Sequence, residues 1–266
     1  MKIIVFAKQV MDPETPRANF KIDPATNKPV PVPNVAPVVN GFDENAVEAA
    51  LRLKERHGGT VTVISLGKNL VLDVIKKPLS MGADELILLQ DDAFEEGDAY
   101  SIAHALSQAV KKVGEFDLII CGRQASDTDR GLVGPAVAEM LGLPCVTLGK
   151  SVDVAEKKVI VERVRTDGSE VVETTTPALI TVSNELGEPR YPTLRGIMQA
   201  GRKQPKVWTA ADIGADAAKL GAKGRVTDTA KTFIPVTEKV CEFIEGENAA
   251  DAGKKLALKL REAKLI

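Results

Sequence analysis

The stretch Lys2-Ile3-Ile4-Val5-Phe6-Ala7 is a continuous apolar run, rich in β-branched side chains, at the start of this 266-residue chain. Because the run does not alternate with polar residues, it predicts a strand buried on both faces, as in a parallel sheet covered by helices. Similar runs recur at residues 61–65, 86–89 and 118–121, with helical periodicity between them. This alternation predicts an α/β fold built on a parallel sheet.

Three segments between the strand-like runs carry apolar residues at helical spacing. The first, 43–57, is expected to begin with Asp43 as its N-cap and to stop at the following glycines. The second is predicted over 70–81, where Pro78 should kink it or shorten its last turn. The third is predicted over 99–113 and should face the sheet with its apolar side.

Residues 12–37 hold seven prolines and few side chains of core size. Connections of this length in compact domains are usually functional or disordered. We expect an ordered, hairpin-like flap over the strand ends, with disorder as the alternative.

The pattern changes after Pro144 to alternating strands, near 147–154, 158–164, 170–175 and 178–183, which predict a small mixed or antiparallel extension. Residues 212–231 are rich in Gly, Ala, Lys and Asp and predict a weakly packed linker. The chain closes with a helical pattern over 248–265. We therefore expect an α/β domain over 1–210 and a linker with a C-terminal arm over 211–266.

Composition limits the function classes. Lys and Arg total 35 against 37 Asp and Glu, a formal net charge of −2, which argues against a nucleic-acid-binding protein. No apolar run approaches the ~20 residues of a membrane span. The chain begins without a secretory signal pattern, so we expect a cytoplasmic protein. The three cysteines are widely separated and are expected to be buried, reduced thiols rather than a disulfide framework or metal site.

A glycine-bearing loop follows the fourth strand-like run and precedes a helix that Pro135 would start well. Its glycines allow close backbone approach to a ligand, and the helix N-terminus would present free N–H groups to a phosphate. Asp127 and Asp129 would repel phosphate unless they bind other groups, so a structural capped turn remains the alternative. The loop comprises Gly122, Arg123, Gln124, Ala125, Ser126, Asp127, Thr128, Asp129, Arg130, Gly131, Leu132, Val133 and Gly134.

Residues 188–203, here called the docking segment, place apolar side chains among cations outside any predicted core element. Pro189 and Pro192 stiffen it, so that it should present Leu194 before a helix resumes near Ile197. The alternative is a surface connection whose apolar side chains pack on their own domain. Its candidate partner-binding residues are Arg190, Tyr191, Leu194, Arg195, Ile197 and Met198, with Arg190, Arg195, Arg202 and Lys203 steering acidic partners.

The docking segment resembles the recognition loop of the electron transfer flavoprotein β subunit (FixA-like) family, with Gly187 and Gln199 where many members have Asn and Lys. The loop Gly122-Arg123-Gln124-Ala125-Ser126-Asp127-Thr128-Asp129 resembles the family's adenine-nucleotide loop. The resemblance spans the chain and implies a three-layer, Rossmann-like fold of the adenine nucleotide α-hydrolase-like type. It also implies that Leu194 enters a pocket on partner dehydrogenases and that the C-terminal arm wraps around the α subunit of a heterodimer.

The resemblance further implies cofactors. AMP, or a second FAD in electron-bifurcating relatives, would lie against the glycine-bearing loop. Arg123 with the Val133-Gly134-Pro135 ending looks more like the bifurcating branch, whereas the proline-rich segment after Lys8-Gln9-Val10 departs from the shorter form of that branch and favours the ordinary carrier. A redox FAD would be shared with the α subunit, near 10–13 and the Glu162-Arg163 pair, which Val164 follows where some members carry a carboxylate. The other nucleotide positions are Phe6, Ala7, Asn40, Gly41, Phe42, Asp43 and Leu66, which should converge at the carboxyl edge of the sheet.

The function implied is electron transfer from flavin-containing dehydrogenases, such as acyl-CoA dehydrogenases, to a quinone reductase or another acceptor. Only His57 and His104 could serve as histidine bases, both are expected to be structural, and we predict neither catalytic residues nor a metal site. One alternative is an NADH-dependent electron-bifurcating subunit. The other is a stand-alone nucleotide-binding module resembling universal stress proteins.

Overall fold

The computed structural model describes residues 1–235 and 241–266. Its strands include the four predicted apolar runs and the strands predicted after Pro144. In chain order they are β1 (Lys2–Phe6), β2 (Gln9–Val10), β3 (Lys21–Asp23), β4 (Lys28–Val30), β5 (Val38–Val39), β6 (Thr60–Leu66), β7 (Glu85–Leu89), β8 (Leu118–Gly122), β9 (Cys145–Ala155), β10 (Lys158–Arg165), β11 (Gly168–Thr175), β12 (Ala178–Val182) and β13 (Lys206–Trp208).

The helices alternate with these strands as the apolar periodicity predicted. They are α1 (Gly41–His57), α2 (Leu72–Ile75), α3 (Lys77–Met81), α4 (Ala99–Val113), α5 (Val133–Leu141), α6 (Leu194–Arg202), α7 (Gly221–Gly224) and α8 (Ala249–Glu262).

A sheet of nine strands runs in the order β11-β10-β9-β12-β8-β1-β6-β7-β13. In this spatial order, each pair of neighbouring strands from β9 through β12, β8, β1, β6 and β7 to β13 is parallel. Strand β1 lies centrally, and its Ile3 is opposite Val61 of β6 on one side and Leu118 of β8 on the other. β10 and β11 extend the sheet with antiparallel pairing. The fold is therefore a mostly parallel α/β sheet with the predicted small antiparallel extension.

Two apolar clusters cover the two faces of the sheet and make the fold three-layered. On one face α1, α2 and α3 pack on residues such as Ile3 and Val5. On the other face α4 and α5 pack on Ile4, Phe6 and their neighbours. Because each central strand is buried on both sides, its sequence shows no polar alternation.

The prediction of a single helix over 70–81 is wrong, because the chain forms two short helices there, α2 and α3, which are joined at Lys76. Pro78 lies at the start of α3, where its missing N–H costs nothing. The run 178–183 is also more than an extension strand, since β12 lies between β8 and β9 and pairs in parallel with both. Strand β13 was not predicted, because its three residues are too few to show periodicity.

The proline-rich segment forms the expected hairpin, in which β3 pairs with β4. The predicted linker is packed rather than loose over part of its length, since Ile213 and Leu220 are buried against the α4 and α5 face of the sheet. Helix α8 buries none of its residues in this chain. Residues 236–240 of the predicted C-terminal arm lie outside the described residues.

The prediction of three buried thiols is wrong for two of them, because Cys121 is buried whereas Cys145 and Cys241 are exposed. None of the helices in the described residues has the length and apolar character needed to cross a bilayer.

Candidate functional site

A cavity of about 640 Å³ lies at the carboxyl ends of β1, β6 and β8. This edge is where open parallel sheets bind ligands, because the loops after adjacent strands diverge there. Of the predicted nucleotide residues, the cavity is lined by Phe6, Ala7, Asn40, Asp43, Leu66, Gly122, Arg123, Gln124, Ala125, Thr128, Arg130, Gly131, Leu132, Val133 and Gly134.

Five predicted residues do not line this cavity: Gly41, Phe42, Ser126, Asp127 and Asp129. Phe42 lies behind the lining, where its ring stacks under the Arg123 guanidinium at 5.4 Å. Asp127 accepts an ion pair from Lys8 at 2.6 Å, and Asp129 accepts a hydrogen bond from Gln124. The two aspartates are therefore engaged by neighbouring donors, which weakens the objection that they would repel a phosphate.

Asn40 ties the glycine-bearing loop to the start of α1. Its Nδ2 donates to the backbone oxygen of Gln124 at 2.8 Å, and its Oδ1 accepts from the backbone nitrogen of Ser126 at 3.1 Å. Asn40 occupies the N-cap position of α1, but its side chain makes no capping bond there. Its amide therefore positions the loop instead of the helix.

Asp43 is not the N-cap that its sequence position predicted, because α1 already begins at Gly41. Its carboxylate is buried and accepts from the backbone nitrogens of Lys8 at 2.8 Å and Gly122 at 3.1 Å. Burial raises the pKa of Asp43 to about 7, against the hydrogen bonds from these two amides, which lower it. Asp43 thus joins the ends of β1 and β8 beneath the cavity.

Two glycines let the loop lie close to the sheet. A Cβ on Gly122 would fall 2.5 Å from Asp43 Oδ1 and 2.7 Å from the Phe42 backbone, and one on Gly134 would fall 2.8 Å from Cys121 Sγ. Neither contact leaves room for a side chain. The sequence predicts that these glycines allow a ligand to approach closely, and the structure shows that they also bring α1 and α5 against β8.

Part of the cavity lining was not predicted. Lys8, Ile64 and Cys121 adjoin predicted residues on the strands, and the hairpin contributes 26–29. Other lining residues come from the turn before α4 and its first half, namely Glu96, Gly97, Asp98, Ala99, Ile102 and Leu106, and from the C-terminal segment, namely Arg225, Thr227, Asp228, Thr229 and Thr232. Asp98 could have been found, since an Asp before a helical pattern after a strand marks a helix start at the ligand edge. The C-terminal residues have no comparable sequence signal.

The docking segment lies away from the cavity and carries exposed apolar side chains. Tyr191 is 91% exposed and Leu194 is 77% exposed, and Ile197 and Met198 are more than half exposed. Thr193 caps α6 by accepting from the backbone nitrogen of Gly196 at 3.0 Å. Leu194 is thereby held at the first position of a capped helix, so the helix begins three residues earlier than the start near Ile197 that the sequence predicted.

The Arg190 side chain was expected to steer acidic partners, but its guanidinium is bound to carboxylates of this chain. Its Nε donates to Glu48 Oε2 at 2.7 Å, and its other nitrogens contact Glu55. Burial alone would raise the pKa of Glu48, but hydrogen bonds from Arg190 and Arg52 outweigh it and lower the pKa. Arg190 therefore fastens the docking segment to α1, whereas Arg195 is exposed and makes no hydrogen bond or ion pair within 1–235 and 241–266.

The residues expected near a shared flavin lie outside the cavity lining. Val10 is buried in β2, Glu162 forms an ion pair with Lys150, and Arg163 donates to Thr147. His57 contacts Asp153, and burial lowers the pKa of His104. Among the described residues no cluster of His, Cys, Asp and Glu could hold a metal ion.

The fold and site define a class, namely a doubly wound α/β protein with a ligand-sized cavity at its strand ends and a separate exposed apolar helix. A family model described as "Electron transfer flavoprotein domain" matches residues 34–213. The chain is 42% identical to the electron transfer flavoprotein subunit beta of Thermoanaerobacterium thermosaccharolyticum, over all of both chains. The chain belongs to the electron transfer flavoprotein family, as a member of the β-subunit and FixA type.

Two further relatives have more specific names. The chain is 36% identical to the caffeyl-CoA reductase-Etf complex subunit CarD of Acetobacterium woodii, over all of both chains. It is 35% identical to protein FixA of Azotobacter vinelandii, over 94% of this chain and 90% of that one. Membership of this family over the full length does not fit the universal-stress-like module considered from the sequence.

Proposed function

We propose that the chain is the electron-carrier subunit of a heterodimer with an electron transfer flavoprotein α subunit, in the cytoplasm. In this role it receives electrons from flavin-containing dehydrogenases, such as acyl-CoA dehydrogenases, and delivers them to a quinone reductase or another acceptor. The single observation that carries the proposal is that Leu194 stands 77% exposed on a capped and fastened segment. A redox FAD shared with the α subunit would supply the electron chemistry.

The docking segment fits a partner with an apolar pocket and an acidic rim. Four apolar side chains of this segment are exposed together, and Arg195 beside them is not engaged by any described residue. Because the segment is already ordered by Thr193 and Arg190, little conformational entropy is lost when it binds. Leu194 would be the buried anchor, and the cations would set orientation and association rate.

The cavity fits an adenine nucleotide. Its volume of about 640 Å³ lies within the usual range for cofactor sites, and α5 directs its N-terminus toward it. Arg123 and Arg130 line the cavity and form no ion pair with the described residues, so they are suited to phosphate oxygens. Ser126 Oγ, at the back of the loop, is buried without a hydrogen-bond partner in the described part of the chain.

A second candidate function is an NADH-dependent electron-bifurcating flavoprotein subunit with a second FAD in this cavity. The size of the cavity favours it, because AMP has fewer than half the non-hydrogen atoms of FAD and would leave much of the space unfilled. The relative named as a subunit of the caffeyl-CoA reductase-Etf complex is in keeping with it. The residues that would hold either nucleotide are the same.

The test is to co-express the chain with its α subunit and to quantify the nucleotides extracted from the purified heterodimer. One FAD with one AMP supports the ordinary carrier, and two FAD without AMP supports the bifurcating subunit. A heterodimer that holds only the shared FAD contradicts nucleotide binding in this cavity. The Gly134→Val variant should lose the nucleotide of this cavity and keep the shared FAD, because a Cβ at Gly134 falls 2.8 Å from Cys121 Sγ and would displace the start of α5, which lines the cavity.

A further inference from the structure

Asp98 uses both carboxylate oxygens, and each serves a different part of the chain. Oδ1 accepts from the backbone nitrogens of Tyr100 and Ser101, both at 3.1 Å, and so caps α4. Oδ2 accepts from the backbone nitrogens of Val226 and Thr227 and from Thr227 Oγ1, all at 2.9 Å. One buried carboxylate thus joins the start of α4 to a segment 128 residues further along the chain.

The segment 225–229, here called the strap, belongs to no helix or strand. Its amides at Val226 and Thr227 therefore lack secondary-structure partners, and Asp98 supplies their acceptor. Four strap residues line the cavity: Arg225, Thr227, Asp228 and Thr229. Arg130 of the glycine-bearing loop also donates to Thr227 Oγ1, at 3.4 Å. The position of one cavity wall therefore depends on Asp98.

We propose that Asp98 is a positioning residue for the nucleotide, which it serves by holding the strap as a wall of the cavity with Oδ2 while Oδ1 caps α4. This inference rests on the proposed nucleotide site and adds to it a lining residue that acts by holding the strap in place. It also makes the strap, which leads to the C-terminal arm, part of the binding site. The strap hydroxyls and Arg225, which also forms an ion pair with Asp228 at 2.7 Å, would be the groups that it presents to the nucleotide.

The ionisation of Asp98 agrees with this arrangement. Burial alone would raise the pKa of Asp98, but the hydrogen bonds from Ser101, Val226 and Thr227 outweigh it and lower the pKa to about 2. The group is therefore a carboxylate at neutral pH, and its five hydrogen bonds are charge-assisted and stronger than neutral ones.

The Asp98→Asn variant separates the two roles of this side chain. Asn is as good an N-cap as Asp, so its Oδ1 can still cap α4. The amide nitrogen in the place of Oδ2 carries donors only and cannot accept from Val226 or Thr227. The variant should therefore keep α4 and release the strap.

Asp91→Asn is the matched control. Asp91 also caps a short helical turn, accepting from Ala93 N at 2.9 Å, and also fastens a later segment, accepting from Ala210 N at 3.0 Å. It does not line the cavity. The same chemical change is thus made in the same kind of contact, away from the nucleotide.

The measurement uses the α–β heterodimer stripped of exchangeable nucleotide. Dissociation constants for AMP and for FAD are measured by equilibrium dialysis, and amide hydrogen exchange is followed at Val226 and Thr227. We expect Asp98→Asn to weaken the better-bound nucleotide by about tenfold or more and to speed exchange at both amides, because a hydrogen-bonded charge is lost. Asp91→Asn should leave both readouts at the wild-type level, and Thr227→Val should show a smaller loss in the same direction.

The outcomes distinguish this inference from the function on which it rests. Wild-type affinity in Asp98→Asn, with faster exchange of the strap, would overturn the positioning role alone. An equal loss of affinity in Asp91→Asn would also overturn it, since the effect would then be general destabilisation. A wild-type heterodimer that binds neither AMP nor FAD in this cavity would remove the proposed nucleotide site, and the inference with it.

Discussion

Arg190 Nε donates to Glu48 Oε2 at 2.7 Å, which joins the docking segment to the middle of α1. The Glu48 carboxylate is 5% exposed and also accepts from Arg52, so the contact lies within a partly buried network. The N-terminal end of the same helix carries Asn40 and Asp43 into the cavity region. Helix α1 therefore supports both the docking segment and the cavity.

The Arg190→Gln variant should unfold more easily than the wild type. Removing the guanidinium leaves Glu48 with Arg52 and the backbone nitrogen of residue 190, and a charged group that loses a charged partner costs about 1–3 kcal/mol. Urea unfolding would measure the change. Arg195→Gln is the control, since Arg195 is exposed, and equal stabilities of the two variants would contradict the fastening role.

The Leu194→Ala variant should slow reduction of the heterodimer by its dehydrogenase, because the exposed anchor of the docking segment would be lost. Hot-spot truncations cost about 2 kcal/mol or more, which corresponds to a fall in kcat/KM of roughly 30-fold. Nucleotide content and thermal stability should not change. Val171→Ala, an exposed apolar side chain on the strand at the opposite end of the sheet, should leave the kinetics unaltered.

Normal reduction kinetics in Leu194→Ala would remove the anchor assignment. A parallel loss in Val171→Ala would show that the effect is not specific to the docking segment.

The Gly122→Ala variant should lower the free energy of unfolding by about 1–3 kcal/mol, because the new Cβ meets Asp43 and the Phe42 backbone below 3 Å. Thermal denaturation with and without nucleotide would measure it. Gly201→Ala in α6 is the matched control, because a Cβ at this position would have no other atom within 4 Å. It should raise the free energy of unfolding by about 0.5–1 kcal/mol. Losses of equal size at both positions would contradict the close approach of α1 to β8.

Asp43 should make stability depend on pH between about 4 and 7. Its pKa is about 7 in the folded chain against an ordinary value of 3.8, so in this range the folded state binds the additional proton. Its contribution to stability is therefore fully present below the ordinary value and is lost as pH rises toward 7. As pH rises over this range, the free energy of unfolding of the wild type should fall relative to that of Asp43→Asn. Urea unfolding would measure both, and a difference between them that does not change with pH would contradict this role of Asp43.

The sheet and the glycine-bearing loop were predictable because their signals are local. Runs such as Ile3 to Phe6 are apolar at every position only when both faces of a strand are covered, and glycines before a helix mark a tight loop at the ligand edge. The positions of α4 and β10 followed from periodicity alone. The hairpin followed from a high proline content in a long connection.

Other features depended on contacts between distant parts of the chain. The predicted cap role of Asp43 was reasonable from its position, yet its partners are Lys8, which follows β1, and Gly122 at the end of β8. From the sequence Arg190 was expected to be a free cation, but in the structure it lies beside Glu48 of α1 and donates to it. The strap carries no motif, and its role is visible only where Val226 and Thr227 meet Asp98.

The sequence by itself determined the α/β class, the glycine-bearing loop and the exposed leucine, because periodicity, glycine spacing and proline placement act within a few residues. Only the tertiary structure decided which charged groups are free to bind and which are already engaged. Hydrogen bonds and ion pairs are short-ranged, so their partners depend on how the sheet and helices bring residues together, and spacing along the chain does not encode that.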